Sequence, residues 1–289
     1  MRIAIFGNEY QHEHLADLQM FLATLKRKDI EIEMEQSFYR YIVEEAGTRP
    51  DVEALISSSA DIKASMAVSL GGDGTFLRTA RKVALLDIPI LGINTGHLGY
   101  LADVPVSEME SVIDDILNDN FIIEPRTMLE VEWDGIDIPF PYVLNEITIL
   151  KQDTASMIEM RTEINDVHLT NYLADGLIIA TPTGSTAYNL SVGGPIIEPS
   201  SRSFAISPVA AHSLTLRPLV VNDDCRIKVT TTSRASTYRL SLDGRSFTLP
   251  GGMAVRIKKA PYVVKVMQRP GHNFALTLRN KLMWGINNK

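Results

Sequence analysis

The chain has 289 residues, 45% of them hydrophobic and 22% charged, with a formal net charge of −7. That is the profile of a folded globular protein with room for two domains, and it excludes extensive disorder and a general nucleic-acid-binding surface. Cys225 is the lone cysteine, which excludes an intrachain disulfide and a cysteine metal cluster. The opening residues, MRIAIFGNEYQHEH, lack the basic and long apolar regions of a signal peptide. No run approaches the roughly 18 apolar residues of a membrane helix. A cytoplasmic protein that does not engage membranes is therefore expected.

In chain order, residues 2–6 (RIAIF) predict a buried strand, followed by a helix with Leu15, Leu18, Phe21, Leu22 and Leu25 on one face. Ile30, Ile32 and Met34 alternate as a strand, and 66–70 (MAVSL) is a short apolar strand ending in glycines. Residues 75–86 read as helix and 88–93 as another buried strand. Ser107 and Glu110 match a capping box opening a helix to about residue 118, with Val112, Ile113, Ile116 and Leu117 as its apolar face. Strands alternating with helices predict a parallel sheet covered on both faces.

From about residue 125 the texture changes to short strands rich in Thr, Val and Ile. They include 128–133 before Asp134-Gly135, 142–150, 157–164 before Asn165-Asp166, 226–232, 237–242 before Asp243-Gly244, and 253–266 broken at Pro261. An all-β domain is expected here. Helical spacing returns at 273–284 through Phe274, Leu278 and Leu282, and this helix should pack back on the first domain. The expected division is 1–124, completed by 273–289, and 125–272.

Four segments could carry chemistry. Gly71-Gly72-Asp73-Gly74-Thr75 joins a buried strand to a helix, where open α/β sheets bind ligands and free N–H groups favour phosphate oxygens. A carboxylate repels phosphate, so Asp73 suggests proton removal from a hydroxyl or magnesium binding. The plain alternative is a tight turn whose Asp caps the helix. Gly92 to Tyr100 (GINTGHLGY) also follows a buried strand and reads either as a ligand-wrapping loop or as a glycine-rich connection with His97 on the surface. Asn145 and Glu146 interrupt the apolar run PYVLNEITIL, which is costly unless they are paired. They should face opposite ways along a strand unless a bulge re-aims one. Last comes Asp175 to Pro195, an apolar strand followed by a Pro-Thr-Gly turn, a hydroxyl-rich helix start and Gly193-Gly194. It suits a polar ligand, with Tyr188 able to stack on a base, or is simply a strand, turn and capped helix. Neither a GxGxxG after the first strand nor a P-loop GxxxxGK[ST] is present.

Taken together, GGDGT at 71–75, GINTGHLGYLAD at 92–103, NE at 145–146 and DGLIIATPTGSTAYNLSVGGPI at 175–196 resemble the NAD kinase family in order and spacing. Pro208 to Pro218 and the Ser241–Arg245 turn extend the resemblance, which covers about residues 66–250; Tyr100 stands where Phe is usual. The resemblance implies a Rossmann-like α/β domain, a β-sandwich domain and a returning C-terminal helix. It implies transfer of phosphate from ATP, with Mg²⁺ or another divalent metal, to the 2′-hydroxyl of the adenosine ribose of NAD, giving NADP. Asp73 is then the general base, beside Gly74, and Arg78 faces the phosphates. Asn145 and Glu146 hold the adenosine, and Asp175 meets the nicotinamide side. Thr186, Ala187, Tyr188, Asn189, Leu190 and Ser191 line the adenine pocket near a neighbouring subunit, which implies a homodimer or homotetramer. Ala210 and Arg245 fall in matching segments and are added to the NAD-binding set. GGDG alone is shared with phosphofructokinases and with diacylglycerol and sphingosine kinases. A lipid kinase is the runner-up, disfavoured because no basic amphipathic segment stands out. A non-catalytic NAD sensor is a third reading, against which the intact Asp73 argues.

Overall fold

The structure, a computed structural model, describes every residue except 10–13, 96–98, 135–137, 153–155, 233–236 and 286–289. The chain forms two compact units, Met1–Pro125 with Val264–Lys289, and Arg126–Val263.

In the first unit, unbroken apolar runs become strands buried on both faces, as a parallel sheet requires. The order is β1 (Arg2–Gly7), α1 (Leu15–Arg27), β2 (Glu31–Glu35), α2 (Gln36–Ala46), β3 (Ala54–Ile56), β4 (Met66–Leu70), α3 (Asp73–Val83), β5 (Ile90–Asn94), β6 (Val104–Pro105) and α4 (Met109–Leu117). The parallel strands lie side by side as β3-β2-β1-β4-β5. The chain builds outward from β1 to β3, then crosses back to lay β4 and β5 on the other side. That reversal between β1 and β4 opens the crevice in which such sheets bind ligands. Side chains alternate across the sheet. Ile3 and Ile5 share a core with Phe21 of α1, Phe38 of α2 and Val112 of α4. On the opposite face Phe6 meets Lys82 of α3, whose Nζ lies 5.8 Å from the ring centre.

Two local features depart from the sequence pattern. Helix α4 opens at Met109 behind a 3₁₀ turn over Val106–Glu108, with no side-chain cap, so Ser107 lies inside that turn and no capping box forms. Helix α2 is not announced by the sequence, because it fully buries only Phe38, Tyr41 and Ile42 and no side chain caps it.

The second unit holds β7 (Ile122–Trp133, from Arg126 on), β8 (Tyr142–Val143), β9 (Glu146–Lys151), β10 (Ile158–Ile164), β11 (Val167–Ala174), β12 (Gly176–Ala180), the single-turn α5 (Tyr188–Ser191), β13 (Ser203–Val209), β14 (Leu219–Asn222), β15 (Ile227–Thr232), β16 (Thr237–Leu242), β17 (Arg245–Pro250) and the start of β18 (Ala254–Gln268). One layer runs β11-β10-β15-β18, with β7 beside β18 and β8 beside β7; the other runs β14-β13-β12-β9-β16-β17. Val131, Met160, Val229 and Ile257 from the first layer share a core with Ile147, Ile179, Phe204 and Leu240 from the second. This is a sandwich. Asn165-Asp166 and Asp243-Gly244 take positive φ at both positions, the two-residue hairpin geometry their identities predict.

Strand β18 is not broken at Pro261, which lies exposed within it. A proline is tolerated in a strand where no neighbour calls on its missing N–H. From Val264 the chain belongs to the first unit again, and Val266 pairs in parallel with Ile90 of β5. Helix α6 (Phe274–Leu282) follows, capped by the Asn273 side chain, which accepts from the Leu276 N–H at 2.9 Å. Ion pairs hold this C-terminal segment in its unit: Lys265 with Asp87 at 2.6 Å, and Arg269 with both Asp115 and Glu108. The apolar grip of α6 is weaker than expected. Phe274, Leu278 and Leu282 are half-buried, and Thr277 is its one fully buried residue.

Candidate active site

In the first unit, the parallel register sets Gly7 beside Leu70 and Leu70 beside Ile93, so the loops after β1, β4 and β5 start from one sheet edge. The loop after β4 leads into α3, whose N-cap is Gly72. Asp73 therefore does not cap its helix. Its carboxylate reaches instead to the turn after β5, where Oδ2 accepts from the Tyr100 N–H at 2.8 Å and Oδ1 from the N–H groups of Leu101 and Ala102 at 2.9 and 3.3 Å. A carboxylate offers about four acceptor positions. Three are filled by described residues, and among these Oδ2 keeps one open. Gly99 makes the seat possible, since a Cβ there would stand 2.2 Å from Asp73 Oδ1. Gly74 faces open space: apart from its own helix, nothing among the described residues lies within 4 Å of where a Cβ would stand. Arg78, one turn into α3, donates from Nη2 to the Gly7 carbonyl at 2.7 Å, which puts its guanidinium at the carboxyl end of β1. His97 lies outside the described residues.

In the second unit, Asn145 and Glu146 sit where the strand of 142–150 is interrupted by a bend at 144–145. The bend is held by Asp243, which accepts from the N–H groups of Leu144, Asn145 and Glu146 at 2.7, 2.9 and 3.1 Å. Burial pushes Asp243 up to about 6, against the pull of those three N–H groups and the nearby Arg245. Thr181 also braces the bend: its N–H donates to the Asn145 carbonyl and its hydroxyl to the Leu144 carbonyl. Gly184 lies so near that a Cβ would meet the Asn145 carbonyl oxygen at 2.1 Å. Three buried polar atoms of these adjoining turns have no partner among the described residues: Asn145 Oδ1, Glu146 Oε2 and Thr183 Oγ1. Glu146 also accepts from the Tyr188 N–H, and burial, with Asp243 nearby, pushes its carboxyl up to about 8. At neutral pH it is mostly a neutral acid able to donate.

The hydroxyl-rich segment begins as a 3₁₀ turn over Thr183–Thr186, breaks at Ala187 and continues as α5. Thr186 turns its hydroxyl back to the Thr183 carbonyl. Tyr188 and Ser191 are exposed and Leu190 half-buried. Asn189 is fully buried: its amide donates to the Ser185 and Pro195 carbonyls and its oxygen accepts from the Ser207 hydroxyl, so it ties the segment together from within. Asp175 pairs with Lys151 at 2.6 Å. Its N–H donates to the Val209 carbonyl, which brings it beside Ala210. Ala210 is exposed with φ +47, a left-handed conformation that costs a non-glycine residue about 1–2 kcal/mol. Arg245 donates to the carbonyls of Phe140, Tyr142 and Leu242, bracing the approach to the Asn145–Glu146 bend with its guanidinium. Sequence reasoning reads Asp243 only as a turn residue and passes over Thr181 and Thr183. The available signal is an acid in the SLDGR turn between two apolar strands.

The ATP-NAD kinase N-terminal domain model matches residues 3–121 and the ATP-NAD kinase C-terminal domain model matches 144–268. The chain is 45% identical over 290 residues to the NAD kinase of Bacteroides fragilis, covering 100% of both chains. It is 42% identical over 284 residues to that of Porphyromonas gingivalis, covering 98% of each. Among solved structures, an NAD kinase from Archaeoglobus fulgidus in complex with ATP is similar with a TM-score of 0.77 at 25% identity, covering 98% of each chain. Yeast NADH kinase complexed with NADH has the same fold, with a TM-score of 0.89 at 22% identity, covering 100% of this chain and 89% of that one. Both halves of the sequence thus match in order and nearly end to end, and the chain belongs to the ATP-NAD kinase family.

Proposed function

We propose that this protein transfers the terminal phosphoryl group of ATP to the 2′-hydroxyl of the adenosine ribose of NAD, producing NADP. The observation that carries the reading is the trio of buried, unpartnered atoms at Asn145, Glu146 and Thr183. Each such atom costs about 1–3 kcal/mol while unpaired, a cost recovered when a ligand rich in hydroxyls and ring nitrogens supplies the missing bonds. In this reading Asn145 and Glu146 hold the adenosine, the turn from Thr186 to Ser191 accommodates the adenine, and Asp175 with Ala210 meets the nicotinamide side. Asn189 and Arg245 act by shaping the turns that make those contacts.

Asp73 is the general base. Its remaining Oδ2 acceptor position takes the 2′-proton as the oxygen–phosphorus bond forms, while three N–H donors keep the carboxylate from rotating away. Gly74 leaves room for phosphate oxygens at the α3 N-terminus, and the Arg78 guanidinium balances their charge. Among the described residues no three His, Cys, Asp or Glu gather to hold a metal ion. Magnesium fits this chain as the partner of the donor's own phosphates, its common mode in kinases, so the donor substrate is MgATP. Among the described residues no helix is long and apolar enough to cross a membrane. A buried, unpaired Cys225 suits the reducing cytoplasm in which we place the enzyme. The direct test is incubation with NAD, ATP and Mg²⁺, with product read by an NADP-specific dehydrogenase. NADP should form, and 2′-deoxy-NAD should give no phosphorylated product. Failure to form NADP from NAD would overturn the assignment.

A further inference from the structure

We infer that Lys281, on α6, is a positioning residue for Asp73, acting through Asp103 and the turn that holds the Asp73 carboxylate. The inference rests on the reading of Asp73 as the general base. Asp73 takes its orientation from the N–H groups of Tyr100, Leu101 and Ala102, so whatever fixes that turn fixes the base. The next residue, Asp103, receives two groups from the C-terminal segment. Lys281 Nζ stands 2.7 Å from its Oδ1 and His272 Nε2 stands 3.4 Å from its Oδ2. The same His272 nitrogen lies 2.9 Å from the hydroxyl of Thr277, the buried residue of α6.

Lys281 reaches both ends of the turn. Its Nζ is 5.6 Å from the ring centre of Tyr100, at the start, and pairs with Asp103, at the end. Its side chain is only 4% exposed, a costly place for an ammonium, and among the described residues Nζ makes no well-directed hydrogen bond. An apolar side chain would fill the position at lower cost, so the charge itself has a use there. Packing holds Leu101 and Ala102, which are buried close against Gly92, but Asp103 borders a cavity of about 370 Å³ that is also lined by His272, Asn273, Asn280 and Lys281. With that gap beside Asp103, the ion pair adds the restraint that packing leaves out at this end of the turn, and so steadies the three N–H donors.

The test is steady-state kinetics on the full-length protein with Lys281→Met and Asp103→Asn, each alone and combined with Asp73→Asn. Each single variant should lower kcat about tenfold while leaving the KM for NAD and ATP within about twofold, since a small misplacement of a reacting group is costly to rate. Lys281→Arg should restore most of the loss. In the Asp73→Asn background either change should lower kcat by less than about twofold, because there is no base left to position. A normal kcat in both single variants overturns the inference. So does an equal fold-loss with and without Asp73, which marks a general structural effect. Should Lys281→Met fail to fold, Asp103→Asn, which preserves size and polarity, decides alone. If Asp73→Asn itself turns over normally, it is the reading of Asp73 that fails.

Discussion

At the scale of single residues, Asp73 and Glu146 are two carboxyls given opposite work by their surroundings. Asp73 is half-buried, tethered by three backbone N–H groups, and among the described residues keeps an open acceptor position. Asp73→Asn preserves its size but cannot take a proton, so kcat should fall at least about a hundredfold, with NAD affinity within a few-fold. If Asp73 held the metal instead, raising Mg²⁺ would rescue the variant. Kinetics across a magnesium series separates the two, and near-normal turnover would sink both. Glu146 is governed by burial, which holds its carboxyl up to about 8, and Asp243 is pushed up to about 6. In the unfolded chain both ionise at the ordinary carboxylate values, near 4. The folded state therefore holds more protons than the unfolded state between those values. The stability these groups contribute at low pH is lost as pH rises through about 6 and then about 8. Thermal unfolding of the ligand-free protein should show Glu146→Gln gaining on the wild type as pH goes from 5 to 8. A difference that is constant with pH would mean that Glu146 does not titrate there.

At the scale of elements, α6 illustrates how periodicity locates a helix without weighing its hold. The spacing of Phe274, Leu278 and Leu282 correctly announces it, yet each is only half-buried, so each contributes about 1 kcal/mol, half or less of a fully buried side chain. Asp103 and Thr277 supply further, polar anchorage through Lys281 and His272. Truncation after Gly271 should therefore lower the Tm by about 5–10 °C. Differential scanning calorimetry checks this, and a truncated chain melting with the full one would show that α6 is not held. The strand of 142–150 makes the complementary point. Strand pairing resumes on both sides of the bend at 144–145, but the bend is imposed by Asp243, a residue 97–99 positions away in the chain.

At the scale of the whole molecule, we propose a homo-oligomer, because Tyr188 is 39% exposed on a turn assigned to the adenine and is free to meet a neighbouring copy. Size-exclusion chromatography with light scattering at micromolar protein should report more than one chain per particle. A monomer alone would count against it. By itself the sequence determined the α/β and all-β textures, the glycine-marked strand ends and the hairpin turns, because periodicity and backbone freedom act over a few neighbouring residues. It also placed Asp73, Asn145 and Glu146 among the residues to watch, since polar groups inside apolar runs are costly wherever they occur. Only the tertiary structure decided what each does. Which Asp73 oxygen stays open, why Glu146 is held as a neutral acid, and why Arg245 and Asn189 turn inward all depend on partners distant in the chain. Burial and hydrogen bonding are set by those partners, and no local pattern encodes them.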